Sequence, residues 1–177
     1  MNQPICVDLD GTLIEEDIGR VSLKKYLAGN LLRIFRIISW SCKGRAYCKA
    51  KLARRVDIPV ESLTYNRRLL DFLVKQRELG RKIYLATGAN ELYARKIADY
   101  LGFDGVLASN SEVNLIEENK ANTLRLVFGN EFTYIGNSNQ DVPVWDVCNE
   151  AILVAPTKMA ACRMKDKKHR NFDEISF

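Results

Sequence analysis

Two aspartates separated by one residue, Asp8 and Asp10, are the first side chains in the sequence that could do chemistry. They lie at the end of the apolar run at residues 5–9, which is typical of a short buried strand. Because side chains alternate along a strand, both carboxylates lie on the same side and close together. Two carboxylates this close repel each other unless a cation or a shared proton relieves the repulsion. The pair therefore predicts a site that binds a cation or transfers a proton.

Three further groups of polar residues are candidates for the same site. Thr87 and Gly88 offer a hydroxyl and main-chain N–H groups at the predicted start of a helix, which suits an anion. Residues 136–141 (GNSNQD) offer several oxygen atoms, and Lys120 offers a cation at the start of another helix. Taken singly, these features are also typical of a helix N-cap, a turn and a solvated lysine. Only their combination in one chain makes them candidates.

The elements that must position these residues alternate between strands and helices. Short apolar runs bounded by Gly, Pro, Asn or Asp predict strands at residues 5–9, 82–86, 106–108, 133–135 and 151–155. Helical periodicity ending at a glycine predicts helices at residues 65–79, 90–101 and 120–128. This alternation predicts an α/β fold with a parallel sheet. In such sheets ligands bind at the carboxyl ends of the strands.

Residues 15–65 interrupt the alternation, because they contain no predicted strand. Helical patterns predict a helical insertion there, with helices at residues 17–28, 31–41 and 45–55. From Ile18 to Val56 the chain carries eleven Lys and Arg and no Asp or Glu, and residues 158–170 add six basic residues against one acidic. The rest of the chain is net acidic, although the whole has a formal charge of +5. That acidic remainder would repel a long polyanion, so we do not expect nucleic acid as a partner.

The composition narrows the chemistry further. The 177 residues are 47% hydrophobic and 28% charged, which is ordinary for one globular domain. A single histidine, His169, excludes Ser-His-Asp hydrolases, HExxH zinc proteases and most histidine metal sites. The five cysteines are odd in number and have no CxxC spacing, which favours reduced thiols in a cytosolic setting. Catalysis must therefore use carboxylates, Lys, Thr or Cys.

The motifs, in their order along the chain, resemble those of the haloacid dehalogenase (HAD) superfamily. The DxDGT motif of that superfamily reads DLDGT at residues 8–12, its threonine motif is Thr87, its lysine motif is Lys120, and its acidic last motif is GNSNQD at residues 136–141. The order of the motifs, their positions at strand ends and their spacings all fit. The four motifs together are a specific signal, although the threonine and lysine motifs are weak alone.

The resemblance also implies how the chain is divided. Residues 1–14 and 66–160 would form a Rossmann-like HAD core with a parallel sheet. Residues 15–65 would form a small helical cap of the C1 type, inserted after the first strand. Residues 161–177 remain as a basic C-terminal tail.

The same resemblance implies a phosphatase. A carboxylate that attacks phosphorus forms an acyl phosphate, which divides hydrolysis into two easier displacements. Asp8 is the expected nucleophile, and Asp10 is the expected general acid and base. Lys120, Thr87 and the N–H group of Gly88 are expected to hold the transferred phosphate.

Mg²⁺ is the expected cofactor, since it prefers oxygen ligands and needs few protein carboxylates. Its expected ligands are Asp8, the main-chain carbonyl of Asp10 and the last motif, where either Asn137 or Asp141 could be the direct ligand. Many family members have Asp at the position of Asn137. Because Asn brings no charge, we expect weaker binding of Mg²⁺.

Two narrower similarities suggest substrates. The string GNSNQDVPVW at residues 136–145 is similar to HAD domains fused to membrane prenyltransferases of the ubiquinone-biosynthesis type. The chain also resembles, more weakly, bacterial effector phosphatases that act on phosphotyrosine, and an apolar cap could receive an aromatic ring. We expect a phosphoprotein substrate, with phosphotyrosine as one option and a prenyl or other lipid phosphate as the alternative. A non-catalytic module that binds phosphate or membrane is a second alternative.

The insertion is the segment in which we expect contact with a partner. We expect Arg33, Arg36, Lys43 and Arg45 to contact the substrate or an anionic membrane; alternatively, the apolar residues pack the helices together and the cations are solvated. The most apolar stretch, residues 27–42, is too short and too charged to span a bilayer, and the N-terminus has no signal-peptide pattern. These features predict a cytoplasmic protein, or a secreted effector acting in a cytosol, that can contact a membrane peripherally.

Overall fold

A six-stranded parallel sheet organises the protein, whose computed structural model describes residues 3–171. Its strands are β1 (Ile5–Val7), β2 (Ile83–Asn90), β3 (Gly105–Ser109), β4 (Thr133–Gly136), β5 (Glu150–Leu153) and β6 (Arg170–Asn171). Their spatial order is β3-β2-β1-β4-β5-β6, so the chain starts in the middle of the sheet and adds strands on both sides. Neighbouring strands pair in parallel, which confirms the predicted fold class and brings the carboxyl ends of β1, β2 and β4 to one edge.

The helices either connect these strands or form the insertion after β1. They are α1 (Ile18–Ala28), α2 (Ile34–Ser41), α3 (Arg45–Ala53), α4 (Arg67–Glu78), α5 (Glu91–Leu101), α6 (Glu117–Phe128), α7 (Val142–Trp145) and α8 (Lys158–Met164). Short 3-10 turns lie at Leu31–Arg33, Val60–Ser62 and Asn139–Asp141. Between residues 3 and 171, no helix combines the length and the apolar character needed to cross a bilayer.

Strand β1 is short and lies between two neighbouring strands. Ile5, Cys6 and Val7 are fully buried between β2 and β4, as expected for a continuous apolar run in a parallel sheet. Directly after the strand, the N–H group of Asp8 donates to the carbonyl oxygen of Ile135 on β4, at 2.9 Å. This hydrogen bond fixes Asp8 at the carboxyl edge of the sheet.

Two linkers that hydrogen-bond to each other join the helical cap, α1 to α3, to the core. The N–H group of Glu15 donates to the carbonyl of Thr64 (3.0 Å), and the N–H group of Asn66 donates to the carbonyl of Leu13 (2.9 Å). The carboxylate of Glu16 accepts from both the N–H group and the hydroxyl of Thr64. The cap therefore leaves and rejoins the core close to the end of β1.

Apolar side chains of the cap and the core form one continuous cluster. Tyr26, Ile37 and Leu52 of the cap belong to the same buried cluster as Tyr93 of α5. The hydroxyl of Tyr93 also donates to the carbonyl of Val56, at 2.8 Å. The cap thus packs on the core beside the carboxyl ends of the strands.

The end of β2 differs from the prediction. The strand continues to Asn90, four residues beyond its predicted end at residue 86. Helix α5 is capped by Asn90, whose side-chain oxygen accepts from the N–H group of Leu92 at 3.1 Å. The prediction that Thr87 and Gly88 open a helix is therefore wrong, because both residues belong to the strand.

The C-terminal segment predicted as a basic tail, residues 161–177, continues the fold as far as the structure describes it. Helix α8 ends at Met164, and β6 adds a strand beside β5. The guanidinium of Arg170 on β6 donates to the carboxylate of Glu150 at 2.5 Å. Residues 172–177 of the predicted tail, and residues 1–2 of the predicted core, lie outside the described residues.

Candidate active site

Seven residues predicted from the sequence line one cavity between the carboxyl edge of the sheet and the cap, and its volume is about 490 Å³. Two of them, Arg45 and Gly88, lie on α3 and β2; the other five are Asp8, Asp10, Lys120, Asn137 and Asp141. Strands β1 and β4 and the first turn of α6 carry these five to this edge or to the loops that follow it. The fold therefore brings together side chains that are up to 133 positions apart in the sequence, from Asp8 to Asp141.

Lys120 is buried at the centre of the site, with 3% of its surface exposed. Its ammonium donates to Asp8 Oδ1 at 2.8 Å, to the hydroxyl of Tyr134 at 2.8 Å and to Asp141 Oδ1 at 3.2 Å. These three bonds use all of its protons. Burial alone would lower the pKa of Lys120, but the carboxylates of Asp8 and Asp141 raise it above its usual value. Lys120 is therefore a fixed cation.

The carboxyl groups of Asp8 and Asp10 hold protons more tightly than free aspartate does. Burial raises the pKa of Asp8 to about 7, with Lys120 opposing this rise and Asp141 adding to it. Burial also raises the pKa of Asp10 to about 6, although Asp10 Oδ1 accepts a hydrogen bond from the N–H group of Ile18 at 2.9 Å. A carboxyl group with a pKa in this range can give and take a proton near neutral pH.

Asp141 is held by donors of the chain itself. Its Oδ1 accepts from Lys120 and from the hydroxyl of Tyr134, the latter at 2.7 Å. Its Oδ2 accepts from the N–H groups of Asn137 and Ser138 and from the Ser138 hydroxyl, at 2.9 to 3.2 Å. Burial would raise the pKa of Asp141, but Lys120 and the other donors lower it. Since a carboxylate offers about four acceptor positions, no position is left for a further ligand.

Asn137 has the opposite character, because its side-chain oxygen is free. Its Nδ2 donates to the carbonyl of Gly11 at 2.9 Å, whereas its Oδ1 is buried without a hydrogen-bond partner among the described residues. Gly11 is required here, since it has a φ of +72° and a Cβ would lie 2.5 Å from Asn137 Nδ2. A buried oxygen without a donor is costly unless something else binds it.

A metal ion in this cavity would need amide and main-chain oxygens as well as carboxylates. Within residues 3–171, no group of three or more His, Cys, Asp and Glu is arranged to hold an ion. Asp8, Asp10 and Asn137 all line the same cavity. With the main-chain carbonyl of Asp10 as predicted from the sequence, they offer three oxygens of different kinds. This donor set suits Mg²⁺, which keeps several waters and takes few protein carboxylates.

The two predicted phosphate-binding residues on β2, Thr87 and Gly88, differ in whether they reach the cavity. Gly88 lines the cavity, whereas Thr87 is fully buried and is not among the residues that line it. The hydroxyl of Thr87 accepts from the N–H group of Ala89 at 3.0 Å, so that N–H group is not free for an anion. The carbonyl of Gly88 accepts from Ser109 Oγ at 2.8 Å and from Lys49 Nζ at 2.7 Å.

Lys49 and Tyr134 are site residues that sequence reasoning missed. Lys49, on α3 of the cap, reaches the core and donates to Gly88 O and to Asn114 Oδ1, at 2.7 and 2.8 Å. Burial lowers the pKa of Lys49, while Asp10 opposes this effect. No pattern separates Lys49 from the ten other cations of the insertion, and Tyr134 belongs to no motif.

The four cap cations predicted to meet a partner divide among three places. Arg45 lines the cavity that Asp8 and Lys120 also line, which we call the catalytic cavity. Arg33 and Arg36 line a separate cavity on the cap, with a volume of about 540 Å³. The ammonium of Lys43 lies 5.4 Å from the ring centre of Tyr47. Of these four residues, only Arg45 is placed to meet a molecule bound at Asp8.

Comparison with known proteins gives related sequences and structures. The family model of haloacid dehalogenase-like hydrolases matches residues 5–146. The uncharacterized protein y4nM of Sinorhizobium fredii (strain NBRC 101917 / NGR234) is 34% identical over 152 residues, which cover 85% of this chain and 30% of that protein. The chain therefore spans about a third of the length of this relative.

Two solved structures illustrate the structural likeness. A protein of unknown function from Bordetella pertussis Tohama I has a TM-score of 0.70 at 15% identity, covering 97% of this chain and 98% of that chain. A phospho-aspartyl intermediate analogue of phosphoserine phosphatase has a TM-score of 0.61 at 16% identity, covering 98% of this chain and 97% of that chain. At these identities the likeness shows a shared fold.

Proposed function

Because the chain belongs to the haloacid dehalogenase-like hydrolase family, we propose that it is a Mg²⁺-dependent phosphomonoesterase that forms an aspartyl phosphate. The observation that carries this proposal is the buried cation Lys120, held 2.8 Å from Asp8 in a cavity that Asp10 also lines. A phosphate dianion that approaches a carboxylate needs such a fixed positive charge. The phospho-aspartyl intermediate analogue of phosphoserine phosphatase, which shares the fold, supports the same chemistry here.

In the first step, a carboxylate oxygen of Asp8 attacks phosphorus and forms a new P–O bond. The bond between phosphorus and the ester oxygen breaks, and protonated Asp10 gives its proton to that oxygen, so that an alcohol or a phenol leaves. The raised pKa of Asp10, about 6, supports this role, because a useful fraction is protonated near neutral pH. Lys120, with the N–H group of Gly88 as a predicted helper, stabilises the transferred phosphate. Thr87, which does not line the cavity, would act only by holding the main chain that follows it.

In the second step, Asp10 acts as the base. Its carboxylate takes a proton from a water molecule whose oxygen attacks phosphorus. The bond between phosphorus and Asp8 breaks, inorganic phosphate leaves, and Asp8 is again a carboxylate. Because Asp10 ends the cycle with the proton that it lost in the first step, the enzyme is ready for another substrate.

Asp8, the main-chain carbonyl of Asp10 and Asn137 Oδ1 are the groups proposed to hold Mg²⁺. The free, buried Oδ1 of Asn137 supports this choice over Asp141, whose acceptor positions are filled. When bound, the ion would reduce the repulsion between the phosphate and Asp8. Asp141 is then a positioning residue, which orients Lys120 and the main chain at Asn137.

The leaving group is proposed to be apolar. The catalytic cavity is lined by the apolar side chains Ile18, Leu23, Ile37, Leu52, Tyr93 and Ile116. Such walls suit the ring of a phosphotyrosine in a protein, and Arg45 among the lining residues suits an acidic neighbour of that tyrosine. The same walls suit a prenyl phosphate, which is the alternative substrate.

The catalytic assignment is tested by replacing Asp8. Asp8→Asn should lower Mg²⁺-dependent hydrolysis of p-nitrophenyl phosphate by about 10⁴-fold, since the nucleophile is lost. Asp99→Asn, which changes an exposed aspartate of α5, is the matched control and should keep full activity. Mass spectrometry of acid-quenched wild type should locate phosphate on Asp8. Undiminished turnover by Asp8→Asn would refute the assignment.

The metal and the substrate are tested with the wild type and one further variant. EDTA should abolish turnover, and Asn137→Asp should need less Mg²⁺ for half-maximal activity, because it adds a charged ligand. A panel of phosphotyrosine peptides, phosphoserine peptides and prenyl monophosphates then separates the two proposed substrates. If the folded wild type hydrolyses none of them with Mg²⁺ present, the catalytic proposal fails and a non-catalytic phosphate-binding module is favoured.

A further inference from the structure

The cap exposes a row of large apolar side chains, which we call the apolar ridge: Leu31, Leu32, Ile34, Phe35 and Ile38. Leu31 is 77% exposed and Phe35 is 68% exposed. Ile37 of the same helix is buried, and Trp40 is partly buried against the core cluster. Other residues of the cap therefore pack against the core, and the ridge stays exposed to solvent.

A cationic cavity adjoins the ridge, and we call it the basic cavity. It has a volume of about 540 Å³ and is lined by Lys25, Tyr26, Arg33, Arg36, Arg55, Val56 and Asp57. Aromatic rings and carbonyl groups hold two of its three guanidinium groups, those of Arg33 and Arg55. Arg33 lies 5.1 Å from the ring centre of Tyr26 and donates to the Tyr26 carbonyl. Arg55 lies 4.9 Å from a ring of Trp40.

The positive charge of the basic cavity is largely uncompensated. Across the described residues, none of its four cations makes a salt bridge with a carboxylate. Asp57 lines the cavity, but its carboxylate accepts a hydrogen bond from Lys96 at 2.6 Å. The surrounding sequence, Ile18 to Val56, supplies no acidic residue. The cavity therefore attracts anions from outside the chain.

The ridge, the basic cavity and the catalytic cavity meet on α2. Arg33 and Arg36 alternate with ridge residues along the chain, so the cations flank the exposed apolar side chains. Ile34, Ile38 and Ser41 are spaced four and three residues apart, which places them on one side of the helix. Ser41 lines the catalytic cavity. The side of α2 that carries Ile34 and Ile38 thus leads toward the cavity that Asp8 lines.

We propose that the cap docks on an anionic lipid surface, with the ridge in the interfacial layer and the headgroup of a net anionic lipid in the basic cavity. Exposed aliphatic and aromatic side chains flanked by Lys and Arg, without acidic residues, are what an interfacial helix needs. A second copy of the chain fits poorly, because a symmetric contact would bring two sets of the same cations together. This docking does not depend on the catalytic proposal.

The proposal is tested by sedimentation with vesicles of phosphatidylcholine alone and of phosphatidylcholine mixed with phosphatidylserine. The full chain should bind only the anionic vesicles, and binding should weaken as salt is raised. Each cation near an anionic surface strengthens binding about fivefold. The triple variant Lys25→Gln, Arg36→Gln, Arg55→Gln should therefore bind about 100-fold more weakly. The matched control is Lys158→Gln, Arg163→Gln, Lys165→Gln, which removes three exposed cations outside the cap and should bind as the wild type does.

Insertion of the ridge has a separate readout. Phe35→Trp should show a blue shift of tryptophan emission with anionic vesicles, and the double variant Leu32→Ser, Phe35→Ser should bind more weakly. Circular dichroism of each variant checks that it is folded. Absence of binding to anionic vesicles would overturn the proposal, and so would equal losses in the two triple variants. Salt-sensitive binding to polyglutamate but not to vesicles would also overturn it and would indicate an acidic protein partner.

Discussion

Substituting Lys120 by methionine should destabilise the fold strongly, because two buried carboxylates would then face each other without a cation. Lys120 contacts Asp8 at 2.8 Å and Asp141 at 3.2 Å, and all three side chains are nearly inaccessible to water. Methionine keeps most of the length and the apolar stem of lysine, so the change removes the charge and three hydrogen-bond donors. The loss of stability therefore reflects electrostatic interactions more than packing.

Removing one partner of a buried ion pair costs about 3–5 kcal/mol, since an uncompensated buried charge is left behind. Lys120 has two such partners, but the pKa of Asp8 is already raised to about 7, so Asp8 takes up a proton at neutral pH once the lysine is gone. This places the expected cost in the lower half of that range. A chain of this size loses about 2–4 °C in melting temperature per kcal/mol. We therefore expect Lys120→Met to melt about 6–16 °C below the wild type.

The measurement is thermal unfolding by circular dichroism at neutral pH with EDTA, because a divalent cation could replace the missing charge. Lys96→Met is the matched control: it breaks a lysine–aspartate pair at 2.6 Å that is mostly exposed, and it should hardly change the midpoint. The double variant Lys120→Met, Asp8→Asn should regain part of the lost stability. A midpoint for Lys120→Met within about 2 °C of the wild type would refute the reasoning about the buried charges.

Two further predictions concern contacts that tie elements together. Lys49→Met should lower the free energy of unfolding by about 1–2 kcal/mol, since it removes two hydrogen bonds from a charged donor to the core. Urea denaturation measures this free energy. A loss of stability no larger than that caused by Lys24→Met would contradict the prediction. Burial would raise the pKa of Glu150, but Arg170 and Thr133 hold it below its ordinary value of 4.5. The wild type should thus be more stable than Glu150→Gln above pH 4.5. The difference in stability between the two should shrink as the pH falls through the lowered pKa of Glu150. A difference that does not change with pH would show that the charge of Glu150 is not its cause.

The inner strands of the parallel sheet could be predicted because they are apolar runs, whereas the edge strand β6 could not be predicted. Strand β6 consists of Arg170 and Asn171, a polar pair with no apolar pattern. Its pairing with β5 and the contact between Arg170 and Glu150 define it, and both depend on residues far away in sequence. The end of β2 was missed for a related reason. Pairing with β3 extends the strand to Asn90, with a register shift after Thr87, although Gly88 interrupts the apolar run.

The types of the site residues and their positions along the fold could be predicted from the sequence, but the role of each residue could not. Asp8 and Asp10 follow the end of β1, where the rule on carboxyl ends of parallel strands places a ligand site, and Lys120, predicted at a helix start, lies in the first turn of α6 and lines the same cavity. The contrast between Asn137, with a free oxygen, and Asp141, with none, depends on donors that only the folded chain brings into contact. Sequence order alone treats both as equivalent oxygen ligands.

The asparagine at position 137 affects the charge of the cavity as well as its donor set. In the described structure, the charged residues that line the cavity are the carboxylates Asp8, Asp10, Asp17 and Asp141 and the cations Arg45, Lys49 and Lys120. An aspartate at position 137 would add another negative charge to a cavity that must admit a phosphate dianion. Asn137 avoids that repulsion and still offers an oxygen, at the cost of weaker attraction for a cation. Under the proposed Mg²⁺-dependent mechanism, the site would thus trade affinity for the metal against access for the anionic substrate, and the positive charge of the cap lysine Lys49 would favour the anion.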